Sequence, residues 1–301
     1  MTAHVDLTAN QENELHQLHQ HLQAHLEQLL PAGQQTDQVR AAMRAGALAP
    51  GKRIRPLLLL LAARDMGCAV SQQGVLDLAC AVEMVHAASL ILDDIPSMDN
   101  AQMRRGRPTI HRQFGENVAI LAAIALLSRA FEVIAIAPNL PPGQKSAAIA
   151  ELASAVGLQG LVQGQFQDLH QGAQSRSPEA IAITNELKTS VLFRATLQMA
   201  AIAADATPQM RQKLSYFAQD LGQAFQLLDD LADGYKHTGK DPNQDLGKST
   251  LVQMLGVEGA ERRLRDHLRS ADAHLACACH RGIATRQYMH ALFNQQLAMF
   301  H

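Results

Sequence analysis

"SLILDDIPSMDNAQMRRGRPT", residues 89–109, places Asp93 and Asp94 directly after an apolar run, adds a third carboxylate at Asp99 and then two cations, Arg104 and Arg105. Paired acids in apolar surroundings cost free energy unless a cation or a hydrogen-bond network satisfies them. The run that leads into them reads as a helix, and so does most of the chain. Alanine, leucine and glutamine dominate, and no run alternates apolar with polar residues as a half-buried strand would. Leu15, Leu18, Leu22, Leu26 and Leu29 recur at spacings of three and four, the stripe of an amphipathic helix. Breaks are expected at "APGKRIRP" (49–56), "APNLPPG" (137–143), "QGAQSRSP" (171–178), "ADATP" (204–208) and "GYKHTGKDPNQDLGKS" (234–249). No low-complexity linker divides the chain and no internal repeat stands out. The expected fold class is therefore all-α: one domain over 1–301, a bundle of about ten or more helices around a central cavity.

Composition narrows the partners. The 301 residues are 47% hydrophobic, and the net charge of −2 argues against nucleic acid or an anionic membrane as the main partner. Cys68, Cys80, Cys277 and Cys279 form no Cys-x-x-Cys pair, which fits a reduced, cytoplasmic protein. "MTAHVDLTANQENEL" has no basic region followed by an apolar stretch, so no signal peptide is expected. The greasiest segment, 118–137, is interrupted by Arg129 and Glu132 and reads as a buried core helix, with no stable membrane insertion.

A second acidic group, in "FQLLDDLADGYKHTGKD", brings Asp229, Asp230 and Asp233 to the end of another apolar helix. Asp229 and Asp233 are four residues apart and project from one face. One such group alone is an ordinary solvated helix end. Two, each followed by lysine or arginine, point to a shared hard cation, and clustered aspartates without histidine or cysteine suit Mg2+ above all. Mg2+ keeps one or two carboxylates and takes its other oxygens from substrate phosphates, which gives the nearby cations a purpose. Lys52 and Arg55 lie in a turn entering a helix, Arg104 and Arg105 follow the first acids, Lys188 opens "KTSVLFRAT", and Lys240 and Lys248 follow the second group. Together they describe a site for more than one diphosphate, with apolar helices to hold a long hydrocarbon.

From "GKRIRP" through "GKSTLV", with "DDIPSMD" and "DDLAD" in that order, the chain resembles the trans-isoprenyl diphosphate synthases (polyprenyl synthetases). The first motif is lengthened by Pro96 and Ser97, as in the bacterial type. The stretch "VHAASLILDDIPSMDNAQMRRGRPTIHRQFGENVAILAAIALLS" is most similar to geranylgeranyl diphosphate synthases of bacterial carotenoid pathways. The resemblance implies an isoprenoid synthase fold, a homodimer with the apolar helix 118–137 as a candidate interface, and three Mg2+ per active site. It implies that Asp93, Asp94 and Asp99 hold metal on one wall and Asp229, Asp230 and Asp233 on the other. Arg104, Lys188, Thr189, Gln226, Lys240 and Lys248 would then bind the allylic diphosphate and face its reacting carbon. Gly51, Lys52, Arg55, His86 and Arg105 would bind isopentenyl diphosphate. Asp93, Asp94, Asp99, Arg104, Lys188 and Asp229 are the implied catalytic residues, and the released diphosphate takes the final proton.

Without the resemblance, His86 is equally a structural helix residue, and Thr189 and Gln226 are cap or core polar groups. Gln165 and Asp168 in "GQFQDL" either line the cavity or form a buried polar network. His21 and His25 lie opposite the leucine stripe and read as a solvated face. Ala88 and Ser89 stand just below Asp93 on its helix, about 7.5 Å down for Ala88 at 1.5 Å per residue. Shorter-chain relatives tend to carry an aromatic ring at the position of Ala88. The small pair is expected to leave the cavity open for a twenty-carbon product, unless Ala88 merely permits close helix packing. A farnesyl or longer-chain synthase shares the same chemistry. A terpene cyclase fits less well, since its second metal motif is of an Asn/Ser/Glu type, and an inactive regulatory subunit would have lost aspartates that are intact here.

Overall fold

The computed structural model describes residues 8–32, 36–69, 72–171, 176–232, 250–279 and 281–297. Thirteen α-helices lie among them: α1 (Ala9–Leu29), α2 (Gln38–Ala47), α3 (Ile54–Asp65), α4 (Gln73–Asp93), α5 (Ile110–Phe114), α6 (Glu116–Ile136), α7 (Pro142–Val156), α8 (Leu161–Gln171), α9 (Pro178–Asn185), α10 (Val191–Ala203), α11 (Pro208–Ala232), α12 (Leu251–Ala278) and α13 (Ala284–Leu297). A single π turn, Glu186–Ser190, joins α9 to α10. The all-α class holds, and the described breaks fall where glycine, proline and small polar residues cluster.

Three apolar helices form the middle of the bundle. Leu57 to Leu61 of α3 are all buried, as are most residues of α10. A helix that is hydrophobic all round belongs in the interior, and α4 is the clearest case. Its mean hydropathy would suit a membrane span, yet 78% of its most apolar window is buried inside the protein. Past its exposed first residue, Gln73, only His86, Ser89, Leu90, Leu92 and Asp93 of α4 are partly exposed, and His86, Ser89, Leu90 and Asp93 share one face at helical spacing. That face is how α4 addresses the site.

α6 departs from its reading as a buried core helix. Only 39% of its most apolar window is buried, and Leu121 and Ile124 are 51% and 53% exposed. The amphipathic reading of α1 survives with one correction. Leu18, Leu22 and Leu26 are buried, but so is His25, whose Nε2 lies 2.6 Å from Asp77 Oδ1 on α4. The acid supplies the partner a buried imidazole needs; His21 alone is solvated.

A short ribbon that periodicity does not signal, two residues in each strand, pairs β1 (Met103–Arg104) with β2 (Arg107–Pro108). Arg105 and Gly106 at its tip have φ of 51° and 73°. Two successive positive φ values are what a two-residue hairpin turn of type I′ demands.

Candidate active site

The first acid group closes on itself. Asp93 ends α4, and the Asp99 N–H donates to the Asp93 carbonyl at 2.9 Å, so the loop containing Pro96 and Ser97 returns the third acid to the first. Burial raises the Asp93 carboxyl to about 6, with Asp99 and Asp94 pushing the same way and Lys188 and Arg104 opposing. An acid held so high by burial and like charge is one that a cation would stabilise. Asp94 turns elsewhere. Arg104 Nε donates to both its oxygens at 2.9 and 2.8 Å, and Arg104 Nη2 donates at 2.6 Å. The hairpin aims Arg104 at this acid, and Asp94 is 3% exposed. In this structure Asp94 is thus a partner of Arg104, where the sequence had offered it as a metal ligand in support of Asp93.

The π turn carries the next groups. Lys188 Nζ donates to Asp168 Oδ2 of α8 at 2.7 Å. Burial works against its charge, but Asp168, Asp93 and Asp99 outweigh it and hold the ammonium well above its usual range. Thr189 Oγ1 donates to Gln226 Oε1 at 3.1 Å, and Gln226 Nε2 donates to Asp230 Oδ1 at 2.8 Å. The turn therefore bears on both acid groups, on Asp93 through the charge of Lys188 and on Asp230 through the hydrogen bonds of Thr189 and Gln226. Two glycines allow it to sit so close. A Cβ on Gly164 would lie 2.6 Å from Lys188 N, and one on Gly222 would lie 2.1 Å from Ser190 Oγ. π turns of this kind recur at functional sites because they displace one residue from the helical register.

A second set of cations gathers at "GKRIRP". Arg105 Nη1 donates to the Pro50 carbonyl at 3.2 Å, and its guanidinium lies against Gly51, where a Cβ would meet Nη1 at 2.5 Å. Arg55 Nη1 stands 3.5 Å from His86 Nε2, and the Arg55 guanidinium lies 4.3 Å over the Phe193 ring. Burial lowers the Arg55 guanidinium to about 10, although Glu83 and Asp229 favour its charge. Burial, then Arg55, Arg105, Arg104 and Arg53, hold His86 well below the usual histidine range, so it is neutral. Lys52 is lowered by partial burial of its ammonium and by Arg105, and supported by Asp229. These cations repel one another, and Arg55 Nε is buried with no partner among the described residues. Such a concentration of donors is built for an anion.

Of the remaining sequence candidates, Asp233, Lys240 and Lys248 lie outside the described residues. Ala88 is fully buried, about 140° round the helix from Asp93, whereas Ser89 shares the face of His86 and Asp93. Asp168 joins the site through Lys188, while both amide atoms of Gln165 are buried without partners among the described residues. Arg53 was missed, since charge alone does not separate it from Lys52 and Arg55. Cys279 is buried, with burial and then Asp65 pushing its thiol up to about 12, and is inert.

Among the described residues no three acid, histidine or cysteine side chains come together as a metal cage. Mg2+ is usually held by one or two carboxylates, with waters and phosphate oxygens completing its shell. Asp93 with Asp99, and Asp229 with Asp230, fit that donor chemistry. The arrangement provides two acid groups for metal, one cation set beside them and a second cation set between Gly51 and His86.

A family model described as "Polyprenyl synthetase" matches residues 36–278. The chain is 60% identical over 295 residues to a geranylgeranyl diphosphate synthase of Pantoea ananas, covering 98% of this chain and 97% of the relative. It is 55% identical over 285 residues to the enzyme of that name from Pseudescherichia vulneris, covering 95% and 93%. A geranyltransferase of Helicobacter pylori, solved with magnesium and isoprenyl diphosphate, superposes with a TM-score of 0.84 at 26% identity over 98% of this chain and 99% of that one.

Proposed function

The chain belongs to the polyprenyl synthetase family, and on that premise we propose that it is a Mg2+-dependent prenyltransferase. It condenses isopentenyl diphosphate with dimethylallyl, geranyl or farnesyl diphosphate and stops at geranylgeranyl diphosphate. The observation that carries this reading is the pair of separate cation sets, each beside acids: Lys188 and Arg104 with Asp93, Asp94 and Asp99, and Lys52 and Arg55, next to Arg105, with Asp229. Two diphosphates need two such sets. The test is product analysis with each allylic starter.

Lys188 and Arg104, with Lys240 and Lys248, grip the allylic diphosphate. Asp93 and Asp99 on one side and Asp229 and Asp230 on the other would hold Mg2+, three ions per site, which would supply positive charge against that growing on the leaving diphosphate. As the carbon–oxygen bond breaks, the Thr189 and Gln226 oxygens orient their dipoles toward the allylic cation, a role supported by the chain from Thr189 through Gln226 to Asp230. Lys52, Arg55 and Arg105 hold the second diphosphate, with neutral His86 as a further ligand. The double bond of isopentenyl diphosphate attacks the cation, forming the new carbon–carbon bond, and the released diphosphate removes the proton.

Chain length is assigned to the face of α4 below Asp93. Ser89 Oγ donates to the His86 carbonyl at 2.9 Å and leaves little bulk on that face. Ser89→Tyr is expected to shift the main product to farnesyl diphosphate with condensation retained; an unchanged product would remove Ser89 from this role. Ala88→Tyr is expected instead to overpack the core and to cost about 1–3 kcal/mol of stability.

The exposed face of α6 is assigned to a second copy of the chain. Leu121, Ile124 and Ile136 offer an apolar strip there, and an obligate interface is enriched in such residues. Sedimentation of the Leu121→Glu, Ile124→Glu variant is expected to show a monomer where the parent is a dimer, and a parent that sediments as a monomer would contradict the assignment. With that strip covered and α4 inside the bundle, the enzyme is assigned to the cytoplasm, without membrane insertion.

A further inference from the structure

We propose that Glu83, Arg53 and Gln23 form a buried strut that positions Lys52 and Arg55 for the diphosphate of isopentenyl diphosphate. The inference rests on the two-diphosphate reading above. "GKRIRP" offers three cations in a row of four positions, and the structure sorts them by direction. Lys52 is exposed and Arg55 is half-buried beside His86, whereas Arg53 between them is 4% exposed and points inward. Its φ is 50°, a left-handed conformation that is costly for a residue with a Cβ and persists only when the surroundings impose it.

The surroundings that impose it are specific. Arg53 Nη1 donates to Glu83 Oε1 of α4, which is itself 4% exposed. Arg53 Nε and Nη2 donate to Gln23 Oε1 of α1 at 3.2 and 2.9 Å, and Nη2 also donates to the Ala49 carbonyl at 2.8 Å. One guanidinium thus ties the turn to two helices and to its own start. His19 of α1 adds a contact of 3.3 Å to the Gly51 carbonyl.

The need for an anchor follows from the charges. Lys52, Arg55 and Arg105 repel one another, and with no anion between them an unrestrained turn would spread. Glu83 offsets this from below and lies on α4 three residues before His86, so one helix carries both an anchor and a ligand. α1, which contributes no group to the reaction, enters the site through Gln23. Preorganisation of this kind acts on the affinity of the anion held by the turn and leaves the other substrate alone.

The test compares Glu83→Gln, the Arg53→Met, Glu83→Leu pair, and Lys52→Ala in the full-length protein, using steady-state kinetics in each substrate and thermal melting. Glu83→Gln keeps the shape and removes the anchor's charge. It is expected to raise KM for isopentenyl diphosphate by about tenfold or more, since small misplacements of binding groups are felt strongly, with KM for the allylic diphosphate within about twofold. The apolar pair is expected to melt near the parent temperature, because a buried ion pair can be replaced by packed apolar groups without loss of stability. Its KM for isopentenyl diphosphate is nonetheless expected to stay raised. Recovery of that KM together with the melting temperature would overturn the strut, since the residues would then be structural only. An unchanged KM in Glu83→Gln beside a raised one in Lys52→Ala would overturn the strut alone. An unchanged KM in Lys52→Ala would overturn the diphosphate assignment and the strut with it.

Discussion

Asp93→Ala is expected to lower kcat by about a hundred- to a thousandfold, the range for removing one preorganised electrostatic group, while the protein melts no lower than its parent. The stability half of this result follows from the sign of the carboxyl's displacement. Burial and two neighbouring acids raise Asp93 to about 6 in the metal-free protein. A carboxyl whose folded-state value lies above its unfolded value opposes folding once ionised, and this opposition is fully present above pH 6. Its removal therefore relieves the folded state at neutral pH. The catalytic half follows from geometry, because the Asp99 N–H to Asp93 carbonyl hydrogen bond brings the two acids together at the end of α4. Steady-state turnover and a melting curve on the same preparation check both halves. Near-parental kcat would remove Asp93 from the metal-binding wall.

Lys188→Met is expected to lower kcat by a similar factor and, unlike Asp93→Ala, to destabilise the fold. Lys188 satisfies Asp168 at 2.7 Å, and side-chain exposures of 28% and 17% place the pair largely out of water. Removing the ammonium takes a charged partner from a largely buried carboxylate, a loss on the order of 1–3 kcal/mol. Adding Asp168→Asn is expected to restore the melting temperature and to leave kcat low. If the double variant regained turnover along with stability, Lys188 would be a structural residue and the allylic site would need another cation.

Much of this site was legible because its signals are local. "DDIPSMD" and "DDLAD" follow apolar helical runs, and a helix end is where a side chain meets open space without breaking the core. The glycine and cations of "GKRIRP" likewise announce a turn. What escaped depends on direction, which sequence spacing does not carry. Lys52, Arg53 and Arg55 are alike in charge, and only a left-handed backbone at Arg53 sends it inward. Asp94 is one residue from Asp93, about 100° round the helix, and that rotation delivers it to Arg104. Ala88 and Ser89 differ by the same rotation, so one enters the core and the other faces the site. The hairpin at Arg105 and Gly106 was hidden because four residues of ribbon leave no periodicity to read. His25 was misjudged because its partner, Asp77, is distant in sequence.

The exposed side of α6 has a different cause. A segment from 118 to 137 with so few charges reads as interior by composition, and composition does not show which face of an apolar helix the fold leaves uncovered. The same ambiguity makes it resemble a membrane span.

Incubating the purified protein with Mg2+, isopentenyl diphosphate and, separately, dimethylallyl, geranyl and farnesyl diphosphate, then measuring product length by mass spectrometry, tests the central claim most directly. Geranylgeranyl diphosphate is expected as the main product from all three starters, and none without Mg2+. Release of cyclic hydrocarbon, accumulation at farnesyl diphosphate, extension well beyond geranylgeranyl diphosphate or full activity after chelation would each contradict it.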